Sequence, residues 1–213
     1  MGSCFAQHMA DRFVHYKFSC RSNPYGTLFH PIPLLQNLTN TLKGSEIEKE
    51  LYLEREGAVF HYSCHSSIWA DSKTELKEKM QGLQLAVAKD LKDSKLLILT
   101  FGTALLYQLA DSNKAVANCH KQPKNTFTKG LSSPSEIQAV FQSFYTELKS
   151  QNSKIQILLT VSPVRHIREG VHQNNVSKSA LLLACDAIQN TFEDVHYFPA
   201  YEIVLDELRD YRF

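Results

Sequence analysis

The sequence has no excess of charge of either sign. Lys and Arg together number 23 against 22 Asp and Glu, which gives a formal net charge of +1. Proteins that hold nucleic acid or an anionic membrane by electrostatic attraction carry basic clusters or a basic excess. The balanced composition therefore predicts that neither is a partner of this chain.

Long hydrophobic runs and familiar short motifs are also missing. The longest apolar runs, LLILTF at 96–101 and ILLTV at 157–161, are far shorter than the ~20 residues that cross a bilayer, so no membrane span is expected. No signal-peptide pattern is visible, and neither GxGxxG nor GxxxxGKS/T occurs, which excludes the common phosphate-binding loops. The five cysteines are scattered without a CxxC pair, which favours reduced thiols in a cytoplasmic protein.

What the chain does contain is an alternation of helical and strand patterns. Strands are predicted at 95–101, 155–161 and 195–198, and helices at 5–14, 74–93, 135–150 and 177–192. Residues 41–73 are less regular and are expected to form either a hairpin or an irregular loop beside the functional site. The first two strands are apolar on both faces, so the order predicts one α/β domain over residues 1–213, with helices on both faces of a mostly parallel sheet.

Polar residues follow the first two predicted strands. Thr103 comes directly after the first strand, and Asn118 and His120 follow past a predicted short helix; Arg165 and His166 follow the second strand. In open parallel sheets, ligands bind beyond the carboxyl ends of the strands. The two strand exits therefore bring histidines and hydrogen-bonding groups to one edge of the sheet.

The chain opens on a Gly-Ser-Cys triplet, directly before the apolar helix face of Phe5, Met9 and Phe13. In one interpretation Ser3 simply caps this helix. In the other, Ser3 is a nucleophile on a strand-to-helix turn, where helix N–H groups stabilise developing negative charge. Cys4 is a rival nucleophile, because helix N-termini favour thiolates. The triplet alone does not choose among these interpretations.

The sequence resembles one known family in several blocks. GSCFA at 2–6 resembles the signature of the GSCFA family, which is placed with the SGNH-type (GDSL-like) hydrolases. The further blocks that resemble this family, in its order, are NPYGT at 23–27, FGTA at 101–104, NCHK at 118–121, SPVRH at 162–166, YEI at 201–203 and DELRDYRF at 206–213. The resemblance covers essentially the whole chain and implies a three-layer α/β/α sandwich of the flavodoxin-like type.

The resemblance also implies roles for individual residues. Ser3 matches the nucleophilic serine, and Gly26 matches a glycine whose N–H contributes to the oxyanion hole. The backbone N–H groups of Ser3 and Gly26 are therefore expected to hold the oxyanion. Where the superfamily has Gly-x-Asn, this sequence reads Gly-Thr-Ala at 102–104, so the usual oxyanion-hole asparagine is missing. Asn118, a little further along the chain, is a candidate replacement.

The general base is the largest departure from the superfamily pattern. SGNH enzymes carry an Asp-x-x-His near the C-terminus, and none follows Arg212; no strand fits before Gly2 either. We therefore expect a family domain shortened at both ends. Its general base is either a histidine of the missing segment or, within this chain, His120 or His166.

Three further side chains are expected to contact the substrate or the pocket. His65 is expected to line the pocket, since a comparable His-Ser pair recurs in the family, and Thr103 lies at the first strand exit. Arg165 is a candidate anchor for a substrate carboxylate or phosphate, or else pairs with an acidic residue of the protein. A zinc site from His65, Cys119 and His120 is an alternative whose spacing fits no familiar motif. Neither a metal nor a cofactor is expected.

The resemblance implies ester hydrolysis or acyl transfer at an O-acyl ester, acetyl esters included, of a small molecule or carbohydrate. Ser3 would attack the acyl carbonyl and form an acyl-enzyme. Two other interpretations remain open: a catalytically silent module that binds a carbohydrate or acyl group in the same cleft, and a metal-dependent hydrolase.

Overall fold

The structure is a computed structural model that describes residues 1–208. Its helices are α1 (Cys4–His15), α2 (Pro31–Lys43), α3 (Lys73–Asp93), α4 (Pro134–Gln151) and α5 (Val171–Thr191), followed by one helical turn at Ala200–Glu202 and a π-helical turn at Ile203–Glu207. Its strands are β1 (Tyr52–Arg55), β2 (Ala58–His61), β3 (Leu96–Phe101), β4 (Leu105–Leu109), β5 (Ala115–Val116), β6 (Phe127–Leu131), β7 (Gln156–Val161) and β8 (Val195–Tyr197). Residues 209–213, which end the last family block, lie outside the described residues.

The central sheet is parallel. Its strands lie in the order β3-β7-β8, with Thr100 of β3 opposite Thr160 of β7. At the free edge of β3, Gly2 forms a further parallel bridge to Thr100. The predicted α/β class, with buried parallel strands and amphipathic helices between them, is confirmed.

Local capping signals explain where the predicted helices begin. The Ser133 hydroxyl accepts from the Glu136 N–H and the Glu136 carboxylate accepts from the Ser133 N–H, which closes a capping box at α4. Ser72 caps α3 in the same way, through the N–H of Glu75. Helix α5 begins at Val171, earlier than the predicted residue 177, directly after Gly170 in a left-handed conformation with φ of 92°.

Two parts of the chain differ from the sequence prediction. The short helix predicted after Thr103 is wrong: this segment is strand β4, the centre of an antiparallel sheet in the order β5-β4-β6. Helix α2 was not predicted, because it has no Ser, Thr, Asp or Asn cap. It begins at Pro31, and the Nδ1 atom of His30 accepts from the N–H of Ile32 in the capping position.

The irregular region at 41–73 contains a hairpin, as expected. Strands β1 and β2 pair antiparallel around a turn at Glu56 and Gly57, both of which have positive φ. The β1–β2 hairpin lies near the β4–β5–β6 sheet, since the N–H of Ala117 donates to the carbonyl of Tyr62 over 2.8 Å.

Hydrophobic side chains form a main core and a smaller cluster. Residues of the main core that are fully enclosed include Leu99, Phe101, Phe141, Leu159 and Leu181, which lie between the central sheet and its helices. The smaller cluster, which we call the hairpin cluster, consists of Leu51, Tyr62, Leu109 and Val116. Between residues 1 and 208, none of the helices has the length and apolar character that crossing a membrane requires.

Candidate functional site

The first residues of the chain form a tight turn from a strand pairing into α1. The Thr100 N–H donates to the Met1 carbonyl over 2.9 Å, and the Ser3 N–H donates to the Thr100 carbonyl over 3.1 Å. Gly2 has a φ of +128°, and a Cβ at this position would lie 2.1 Å from the Thr100 oxygen. The sharp turn therefore depends on glycine, both for its backbone angle and for the close approach to β3.

Asn23 holds this turn from the other side. Its Oδ1 accepts from the Gly2 N–H over 2.8 Å, and its Nδ2 donates to the Ser3 carbonyl over 3.4 Å. One side chain thus bridges the residues on both sides of the turn. Asn23 opens the block NPYGT, and this contact was not predicted from the sequence; a polar residue at the start of an Asn-Pro-Tyr-Gly loop was the available signal.

Ser3 occupies the capping position of α1 but does not act as a side-chain cap. Its hydroxyl makes no hydrogen bond to the first turn of the helix. The residue is fully buried, and the Oγ atom has no hydrogen-bond partner among the described residues. Buried hydroxyls are usually bonded, so an enclosed and unpartnered Oγ on a helix N-terminus requires an explanation.

The two N–H groups expected to form the oxyanion hole are already hydrogen-bonded. The Ser3 N–H donates to Thr100, as described above, and the Gly26 N–H donates to the Asn23 carbonyl over 2.8 Å. Gly26 has a φ of +74°, and a Cβ there would lie 2.2 Å from the Cβ of His65. The glycine at 26 is therefore explained by backbone conformation and by the packing of His65.

Asn118 and His120 belong to a hydrogen-bonded network beside the hairpin. The Oδ1 of Asn118 accepts from the His120 N–H over 2.8 Å and from the Ser66 hydroxyl over 3.3 Å. His120 is buried, with Nε2 at 3.0 Å from the His61 carbonyl and Nδ1 at 3.1 Å from the Ser66 Oγ. Burial, above all, lowers the pKa of His120 to about 4. Both ring nitrogens are thus in contact with groups of the protein.

His166 has a different environment, at the exit of β7. Its backbone N–H donates to the Asn174 Oδ1 over 2.8 Å, and its ring lies edge-on to the ring of Phe29, with centroids 5.0 Å apart. The Nε2 atom is buried and has no partner among the described residues. Burial first, and then the positive charge of Lys178, lower the pKa of His166 below its usual range.

The chain segment around Phe29 connects His166 with the turn at Gly2 and Ser3, which we call the serine turn. The Leu28 N–H donates to the Gly2 carbonyl over 3.0 Å. The Phe29 carbonyl accepts from the N–H of Gly102 over 2.7 Å. Leu28 therefore contacts the turn at Gly2, while Phe29 contacts both the exit of β3 and the ring of His166.

The remaining predicted side chains lie around these strand exits and the neighbouring loop. The Thr103 hydroxyl lies 3.0 Å from the hydroxyl of Ser177 on α5 and accepts from the Leu105 N–H. His65 is half-buried with Nδ1 at 3.1 Å from the Ser67 Oγ, and burial lowers its pKa. Arg165 is exposed after β7.

A metal site finds no support in the arrangement of side chains. Within residues 1–208, no three His, Cys, Asp or Glu side chains lie close enough together to hold a metal ion. Of the three ligands considered, His120 has both ring nitrogens at hydrogen-bond distance from other groups, as described above.

Lys178 of α5 is a buried polar residue that the sequence analysis missed. Only 1% of the residue is exposed, and its ammonium donates to the carbonyls of Gly102 and Ser162, each over 2.6 Å. Both carbonyls directly follow strands of the central sheet. A lysine directly before the mostly apolar helix segment SALLLA, at 179–184, was the available signal.

The fold and this arrangement define an α/β protein with an enclosed serine hydroxyl on a turn between a parallel strand pairing and a helix. The model of the GSCFA family matches residues 1–213, so the chain belongs to the GSCFA family. No curated protein and no solved structure matches the chain.

Proposed function

We propose that this protein is an SGNH-like serine hydrolase, an esterase or acyltransferase that acts on O-acyl esters. The observation that carries the proposal is the Ser3 hydroxyl, which is enclosed, unpartnered and placed at the start of α1. A serine whose only role is to cap a helix bonds the N–H groups of the first turn. The Ser3 hydroxyl makes no such bond, so capping does not explain this serine. Because the residue is fully buried, attack on an acyl carbonyl requires the enclosed site to open.

His166 is the general base of this proposal. A general base needs a nitrogen that is free to accept a proton and that lies within reach of the nucleophile. Within residues 1–208 the Nε2 of His166 has no partner, and it is not hydrogen-bonded to the Ser3 hydroxyl. The segment of Leu28 and Phe29 contacts both the ring of His166 and the serine turn, so proton transfer requires the two groups to approach each other there. Both ring nitrogens of His120, by contrast, are at hydrogen-bond distance from other groups.

The oxyanion of the tetrahedral intermediate is placed at the first turn of α1. The N–H groups of Cys4 and Phe5 come too early in α1 to find an acceptor within the helix. The helix N-terminus also carries a partial positive charge that favours a developing oxyanion. The N–H groups of Ser3 and Gly26 contribute only if their present bonds are released. The two bonds of Asn118 described above are accepted by its Oδ1, so its Nδ2 group is the donor that this side chain would offer.

The fold type and the setting of the reaction belong to the same proposal. The parallel order β3-β7-β8 and the edge bridge at Gly2 support a flavodoxin-like, three-layer α/β/α sandwich of the SGNH kind. We assign the substrate to small-molecule or carbohydrate acyl esters. The five cysteines are all unpaired thiols, which supports a reducing, cytoplasmic location.

A module that binds a carbohydrate or acyl group at the same site, without catalysis, is the second candidate. Two observations favour it: Ser3 is fully buried, and the N–H groups of Ser3 and Gly26 both donate to carbonyls of the protein. In that case the enclosed hydroxyl would bind a polar group of the ligand without attacking it.

Labelling by a fluorophosphonate, together with p-nitrophenyl acetate hydrolysis, tests the proposal on the wild type and on Ser3→Ala and Cys4→Ala. We expect labelling and hydrolysis in the wild type, at least about 100-fold loss of both in Ser3→Ala, and retention of both in Cys4→Ala. Loss only in Cys4→Ala would identify the thiol as the nucleophile. A wild type as inactive as Ser3→Ala would favour the binding module and end the enzyme proposal.

A further inference from the structure

Lys178 joins the two strand exits that carry the candidate site. Its ammonium bonds the carbonyl of Gly102 after β3 and the carbonyl of Ser162 after β7. Gly102 in turn donates to Phe29, and Ser162 begins the loop that contains His166. Displacement of the ammonium would therefore disturb both sides of the proposed site.

The charge of Lys178 has no acidic partner among residues 1–208. The ion pairs within residues 1–208 involve other lysines and arginines, and the Lys178 ammonium has the ring of Tyr201 at 5.9 Å. Burial lowers the pKa of Lys178 to about 8, while the nearby Cys4 acts in the opposite direction. A buried charge without a counterion is costly, so two short bonds to carbonyls are its main compensation.

Within residues 1–208, Lys178 is the charged group that adds to burial in lowering the pKa of His166. The ring of His166 packs on the neutral Phe29, and its backbone N–H bonds the neutral side chain of Asn174. The effect of Lys178 on His166 favours the neutral imidazole. A general base must be neutral before it can accept a proton.

We propose that Lys178 is a positioning residue for the reaction at Ser3. Its ammonium fixes the exits of β3 and β7 in register, and with them the loop that contains His166. The inference rests on the proposed function, because it assumes that Ser3 is attacked through His166. It does not require Lys178 to touch the substrate.

Two variants separate the charge of Lys178 from its hydrogen bonds. Lys178→Met removes both, while Lys178→Gln removes the charge and keeps a donor for the carbonyls. Lys149→Met is the matched control. Lys149 also bonds two carbonyls, those of Ser153 and Ile155, but it lies at the opposite end of β7 and pairs with Asp194.

The experiment measures two quantities on the full chain of each folded variant. The first is the titration of His166 by NMR, assigned with His166→Gln, and the second is the rate of fluorophosphonate labelling of Ser3 from about pH 5 to 9. In Lys178→Met we expect the pKa of His166 to rise toward its usual ~6.5. The acidic limb of the labelling rate should move to higher pH with it, and the rate at neutral pH should fall about tenfold or more.

Lys178→Gln should shift the titration of His166 as Lys178→Met does, with a smaller fall in rate, and Lys149→Met should change neither quantity. An unchanged His166 titration, with a labelling rate within about twofold of wild type in folded Lys178→Met and Lys178→Gln, would overturn the role of Lys178. A wild type that is not labelled at Ser3 overturns the proposed function, and the catalytic role of Lys178 with it. The titration then still shows whether Lys178 and His166 are electrostatically coupled.

Discussion

The buried histidines of this fold differ in whether their ring nitrogens have hydrogen-bond partners. His120 has groups at hydrogen-bond distance from both ring nitrogens, whereas the buried Nε2 atom of His166 has none within residues 1–208. The sequence placed His120 and His166 as equals, because both follow a strand. Only tertiary contacts distinguish them, and those contacts involve residues distant in sequence, such as His61 and Phe29.

His30 makes the pH dependence of stability testable. Burial lowers the pKa of His30 from its usual value of 6.5 to about 4, despite opposing effects of the Ala104 carbonyl and of Glu136. Between those two pH values the unfolded chain binds a proton that the folded chain does not. The contribution of His30 is therefore fully present above pH 6.5 and is lost as the pH falls toward 4.

His30→Asn keeps a capping acceptor for α2 and removes the titrating group. When the pH is lowered from ~7 to ~4.5, the free energy of unfolding should decrease in both proteins. We expect the decrease to be about 2–3 kcal/mol larger in wild type than in His30→Asn. Urea unfolding at the two pH values measures the difference, and His8→Asn, on the exposed face of α1, is the control. Equal acid losses in wild type and His30→Asn would contradict the assignment.

Helices and strands were predictable where their signals are local. Strands β3 and β7 are continuous apolar runs, and α4 carries its capping box within four residues of sequence. The β4–β6 pairing was not predictable in this way, because Leu105 pairs with Leu131 across a long connection. The serine turn lies between these cases: the triplet was visible, but its pairing with Thr100 and its bonds to Asn23 are not local.

The turn at Gly2 permits a matched test with another glycine. Gly2 and Gly57 both have positive φ, but a Cβ at Gly57 meets no atom within 4 Å, whereas a Cβ at Gly2 meets the Thr100 carbonyl. Gly57→Ala should therefore cost only the backbone strain of about 1–2 kcal/mol. Gly2→Ala must also push the turn away from β3.

We expect Gly2→Ala to slow fluorophosphonate labelling of Ser3 at least about tenfold, while Gly57→Ala labels as wild type does. Thermal unfolding of both variants shows how much of each effect is a loss of stability. Equal labelling rates in the two variants would mean that the close approach of Gly2 to Thr100 does not position Ser3.

Across the molecule, the main core and the hairpin cluster support different candidate histidines. The main core carries the exits of β3 and β7, and so His166. The hairpin cluster has Cys119 packed against it, and His120 lies next to Cys119 with its ring close to that of Tyr62. Loosening one cluster at a time therefore tests which histidine serves Ser3.

Leu109→Ala opens a cavity in the hairpin cluster and Leu99→Ala opens one in the main core; buried Leu→Ala changes typically cost about 2–5 kcal/mol. We expect Leu109→Ala to reduce hydrogen-exchange protection in β4–β6 while leaving β3, β7 and the labelling rate of Ser3 unchanged. Leu99→Ala should reduce protection in β3 and β7 and slow labelling as well. If Leu109→Ala slows labelling while β3 and β7 remain protected, the loop of His120 takes part in the reaction, and the assignment of His166 as the sole base is wrong.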